Sequence, residues 1–86
     1  MRVEKAQCIG IRKYENDSDP SKNRRTVYFA YQNRPAVEGL AVLTFSVFDN
    51  NRSINIKDVA VSKFYSIVYH RDEKYFVIDD IRVETD

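Results

Sequence analysis

Cysteine, histidine and glycine are scarce in this chain, and tryptophan is absent. A lone Cys8 cannot form an intrachain disulfide, which fits a reducing compartment. With His70 as the only histidine, Cys and His cannot by themselves complete a structural zinc site, which takes four such ligands. Only Gly10 and Gly39 are present, so no glycine-rich loop is available to cradle a phosphate through backbone N–H groups. Two glycines and two prolines also separate the chain from collagen-like and disordered sequences. No apolar run approaches the roughly 18 to 20 residues that cross a bilayer, and Met1-Arg2-Val3-Glu4-Lys5 lacks the apolar stretch of a signal peptide. The expectation is a cytoplasmic protein with no membrane partner and no cofactor.

What is present is aromatic and charged. The 86 residues make one domain, 1–86, because so short a chain cannot divide its apolar 43% between two cores. Six Tyr and five Phe supply most of the core volume. The net charge of +1 is far from the basic balance of an obvious nucleic-acid binder, but its distribution is uneven. Residues 1–37 hold eight basic and four acidic groups, a balance of +4, whereas residues 38–86 hold six and nine, a balance of −3. Such segregation permits a basic face on a nearly neutral protein.

Val3 to Tyr14 alternates loosely, with Cys8, Gly10, Arg12 and Tyr14 on one side and Gln7, Ile9, Ile11 and Lys13 on the other. It reads as a long first strand in which Gly10 marks a bulge or bend. Glu15 to Asn23 is a long exposed loop of Asn, Asp, Ser and Pro. Arg24 to Gln32 is the second strand, ended by Asn33-Arg34-Pro35. Gly39 to Asp49 is a third, apolar almost throughout, as expected of a strand covered on both sides or lying at a sheet centre. Ile54 to Ser62 has no clean period and predicts an irregular segment or one helical turn. Phe64 to His70 and Tyr75 to Val83 form a closing hairpin with the four-residue connection Arg71-Asp72-Glu73-Lys74, and Val77, Ile81 and Val83 are expected to seal the core. The order predicts an all-β fold: a small five-stranded antiparallel barrel of the oligonucleotide/oligosaccharide-binding (OB) type, the helix between strands three and four reduced or absent. An SH3-like barrel or a plain meander is the alternative.

Little in the chain points to catalysis, so the reading is of a protein that is not an enzyme. His70 stands at a strand end with no base or nucleophile at a telling spacing, and Cys8 within a strand reads as a buried inert thiol. Asp79 and Asp80 are adjacent in a strand and point to opposite faces, so they make no catalytic pair. Asp17 and Asp19 lack the Gly and bidentate Glu of a calcium loop and read as turn residues.

The remaining signal is aromatic residues interleaved with basic ones. Arg12, Lys13 and Tyr14 end the first strand, Lys22, Arg24, Arg25 and Tyr28 open the second, and Tyr65, Tyr69, Arg71, Lys74 and Tyr75 flank the last hairpin. Single-stranded nucleic acid is held in this way, bases stacking on rings while Lys and Arg follow the phosphates. The plainer reading has the Tyr rings filling the core and the charges solvating strand exteriors.

Gly10-Ile11-Arg12-Lys13-Tyr14, the polar loop, Thr26-Val27-Tyr28-Phe29-Ala30-Tyr31 and Tyr65 to Tyr75 resemble in spacing the gene-V-type single-stranded DNA-binding barrels of phages and mobile elements. The resemblance implies a five-stranded barrel, with a dimer as one of its forms, in which Tyr14, Tyr28 and Tyr69 stack on bases while Arg12, Arg24, Arg25 and Arg71 meet phosphates; Lys74, at the tip of the last hairpin, is a further candidate contact read from the residues themselves. The function expected is non-catalytic binding of single-stranded nucleic acid. The alternative is a protein-interaction module, an accessory protein of a phage or mobile element that docks a protein partner or a second copy through a strand edge.

Overall fold

The computed structural model describes residues 1–33 and 38–85, so Arg34 and Pro35 of the expected strand stop lie outside the described residues. Five strands, β1 (Arg2–Tyr14), β2 (Arg24–Gln32), β3 (Leu40–Phe48), β4 (Phe64–Asp72) and β5 (Tyr75–Val83), form one antiparallel sheet in the order β3-β2-β1-β4-β5. No helix among the described residues is long and apolar enough to cross a membrane.

β1 is the hub, pairing with β2 along its second half and with β4 along its first, and it changes partner by bending. The ladder to β2 skips Ile9 between Cys8 and Gly10, at the position where Gly10 predicts a bulge. Tyr28 lies over this glycine, its Cδ2 atom 3.6 Å from where a Cβ would stand. A second irregularity, between Val3 and Ala6, holds Lys5 at a left-handed φ of 54°. Each extra residue reverses the side-chain alternation, so Val3, Ala6 and Cys8 are buried while Ile11, at an odd separation from Cys8, also packs against the core.

The core occupies one face of the sheet. Phe29 meets Phe45 and Tyr65 edge to face at centroid distances of 6.1 and 5.8 Å, and Phe45 meets Tyr69 at 5.6 Å. The crossover from β3 to β4 closes over these rings with Ile54, Ile56 and Val59, all buried. Its only helical turn is the 3₁₀ segment Ile56–Asp58, as the aperiodic sequence suggests. The Ala60 N–H donates to the Tyr65 hydroxyl at 2.9 Å and pins the crossover to β4.

Four expectations are corrected. β3 is an edge strand rather than a central one: Leu43, Phe45 and Val47 face the core, while Leu40, Val42 and Phe48 are 57%, 56% and 52% exposed. Its apolar run comes from apolar outward side chains, not from cover on both faces. The hairpin connection has two residues, Glu73 and Lys74, since the ladder continues to Asp72↔Tyr75. A bulge at Asp79, between Val68↔Asp80 and Tyr69↔Ile78, shifts the alternation of β5, so Ile78 is buried and Val77 and Val83 are exposed. Finally, the sheet does not close into a barrel. β3 and β5 run in the same direction and flank a groove lined by Thr44, Ser46, Tyr75, Phe76 and Val77, yet among the described residues no ladder joins them. Rings bridge the seam instead, Tyr69 touching Phe45 on one side and Phe76 on the other.

Candidate functional site

Strand register builds the candidate site. Across β1, β2 and β3 the pairing aligns Tyr14 with Arg24 and Phe48, Arg12 with Thr26 and Ser46, and Gly10 with Tyr28 and Thr44. These rows alternate with the core rows of Val27, Phe29 and Phe45, so they lie on the outer face. None of the three rows contains a carboxylate.

Tyr14 and Phe48 are both more than half exposed and flank Arg24, whose guanidinium carbon stands 5.2 Å from the Tyr14 ring centroid. The loop from β1 to β2 borders this row and is held by its own side chains. The Asn16 Oδ1 atom accepts the Ser18 and Asp19 N–H groups at 3.0 Å each, and the Asn16 N–H donates to Asn23 Oδ1 at 2.7 Å. Asp19 caps the short 3₁₀ turn Pro20–Lys22. The result is an open cleft of about 420 Å³ lined by Tyr14, Asn16, Lys22, Arg24 and Phe48. Among the described residues, no carboxylate lies within ion-pair distance of Arg12, Lys22 or Arg24.

The other residues singled out in the sequence have different surroundings. Arg25 faces the core side opposite Lys13 and Val47, with its Nε 3.4 Å from Asp49 Oδ1 and both side chains only 17% exposed. Its charge is already met, and the pair ties the start of β2 to the end of β3. Tyr69 is a core residue: it is 8% exposed, and burial, with Tyr31 nearby, raises its hydroxyl above the ordinary range. Its ring is not a free stacking surface. Arg71 is exposed at the hairpin tip, where its Nε donates to the Glu73 carbonyl at 3.2 Å. Lys74 lines the β3/β5 groove beside Thr44 and Ser46, and so stands across β3 from Thr26 and Tyr28. Arg12, Tyr14, Arg24 and Tyr28 are thus brought together on one face, Lys74 lies at its margin, and Arg25 and Tyr69 turn inward. Phe48 belongs to the site and was legible only through parity: once Phe45 and Val47 face the core, Phe48 must face out.

The β4–β5 half is mixed in charge. It carries Asp72, Asp79 and Asp80; Asp79 Oδ1 lies 2.8 Å from His70 Nδ1, and the Arg82 Nε donates to Asp80 at 2.9 Å. Asp79 and Asp80 serve different partners and form no catalytic pair. Among the described residues, no three His, Cys, Asp or Glu side chains gather as a metal site. Cys8 is fully buried, desolvation raises its thiol, and its Sγ donates to the Gly10 carbonyl at 3.7 Å. With Arg71, Lys74 and Arg82 against Asp72, Glu73, Asp79 and Asp80, this half is nearly neutral, so the charge split along the sequence survives on the sheet only as the carboxylate-free rows of β1, β2 and β3. Comparison with protein-family models, curated proteins and solved structures finds no match for this chain.

Proposed function

We propose that this chain is a non-catalytic module that binds single-stranded nucleic acid on the outer face of β1, β2 and β3. The observation that carries the reading is the Tyr14–Arg24–Phe48 row, two exposed rings about an arginine with no acidic partner, on a face whose rows lack carboxylates. Stacking on such rings contributes about 1 to 3 kcal/mol per base, and a base must leave a duplex to reach them. The strand order supports the OB-like reading: β1 pairs with both β2 and β4, and the β3/β5 seam is where such a barrel is left partly open. Likeness to the gene-V-type barrels belongs to the same proposal.

Fluorescence anisotropy with a twelve-residue thymidine oligonucleotide at several salt concentrations tests it. If Arg12, Lys22 and Arg24 each meet a phosphate, log affinity falls against log salt with a slope of roughly −2 for a single strand. Arg12→Glu with Arg24→Glu abolishes binding at moderate salt, and Phe48→Ala weakens it with little change of slope. No binding at low salt, or binding indifferent to salt, overturns the proposal.

A second reading rests on β3, whose nine residues include no charge to guard an edge. β5 flanks Thr44 and Ser46, which leaves Leu40 to Leu43 as the stretch on which a second copy pairs. Light scattering over a hundredfold range of concentration tests this: a constant monomer mass excludes it.

A further inference from the structure

Resting on the nucleic-acid reading, we infer that the cleft between Tyr14 and Phe48 selects guanine over adenine. The polar side chains of the cleft are nearly all donors. Arg24 and Lys22 are donors only. Asn16 becomes one as well, because its Oδ1 atom is occupied by the Ser18 and Asp19 N–H groups, which also orients the amide and leaves Nδ2 as its free end. The Tyr14 hydroxyl alone can accept, and the Tyr14 ring is already engaged by the Arg24 guanidinium at 5.2 Å.

Apart from the Tyr14 hydroxyl, a base lying against Phe48 in this cleft therefore meets only side-chain donors. Guanine presents two adjacent acceptors, O6 and N7, at the spacing of the arginine fork. Adenine presents N7 beside the N6 amino group, so one of its donors is set against donors and left unpaired. Lys22 stays free for the phosphate that follows the base. Selection then comes from Arg24 as a fork, and affinity from Arg24 as a charge, and the two separate on substitution by lysine.

The experiment uses thymidine 12-mers carrying one central guanine, adenine, inosine or 7-deazaguanine, titrated into the intact protein by anisotropy. Guanine and inosine, which share O6 and N7, bind about tenfold more tightly than adenine, and 7-deazaguanine, which lacks N7, falls back toward adenine. Arg24→Lys brings guanine and adenine within about twofold while leaving the salt slope unchanged. Equal affinity of all four oligonucleotides overturns the selection and leaves the binding reading standing. A guanine preference that survives Arg24→Lys overturns the assignment to this residue. If none of the four binds, both fall together.

Discussion

Tyr14 and Tyr69 show how much a residue's role depends on which side of the sheet it takes. Both stand among basic residues in the sequence, but Tyr14 is 53% exposed and Tyr69 only 8%. Tyr69→Ala should lower stability by about 3 to 5 kcal/mol, the usual cost of emptying a buried aromatic site. Tyr69→Phe, which keeps the ring between Phe45 and Phe76, should cost under about 1.5 kcal/mol and leave oligonucleotide affinity unchanged. Tyr14→Ala should do the reverse, and urea denaturation beside anisotropy separates the cases. Burial also holds the Cys8 thiol and the Tyr69 hydroxyl protonated above their ordinary ranges. The unfolded chain releases these protons first and so binds fewer of them, which makes stability complete below about pH 8.5 and lower as pH climbs past it. Cys8→Ala should flatten the decline between about pH 8.5 and 10, seen in urea midpoints measured across that range. The burial of Cys8 is legible from a small apolar residue amid a strand; that of Tyr69 is not, since Tyr fits either face of a sheet.

Element boundaries follow from local chemistry and are correspondingly legible. β2, the loop after β1 and the 3₁₀ crossover all lie where alternation and turn residues put them. What local pattern does not contain is the bulge at Asp79, which depends on β4 offering one residue fewer than β5. That bulge exchanges Val77 for Ile78 in the core. The hairpin is shorter than its sequence suggests because Arg71 and Asp72 continue the ladder, which forces Glu73 to a φ of 53°. Glycine takes that conformation without a Cβ penalty. Glu73→Gly should therefore stabilise the protein by about 0.5 kcal/mol despite added freedom in the unfolded chain, measured as a higher urea midpoint at unchanged slope. If the midpoint falls, the turn is not strained.

At the scale of the whole molecule, the sheet sets carboxylate-free rows on β1, β2 and β3 beside a β4–β5 half of mixed charge. Across the open seam, Tyr75 of β5 stands beside Thr44 and Ser46 of β3, so Asp72, the ladder partner of Tyr75, is carried toward the margin of the basic face. Asp72→Asn should accordingly raise affinity for an oligonucleotide by about twofold near 0.15 M salt and by more near 0.01 M, as anisotropy titrations at the two salts report. No change at either salt would mean that the bound strand stays clear of the seam.

By itself, the sequence determined the number of strands, most of their limits and the polar loops between them, because alternation and turn chemistry act between near neighbours in the chain. It also determined that basic residues would gather in the first half. The tertiary structure decided which strand lay at the edge, that the sheet stayed open between β3 and β5, and which rings faced outward. Those outcomes depend on strand register and on three irregularities that reverse side-chain alternation, and register is a relation between distant segments that no local pattern carries.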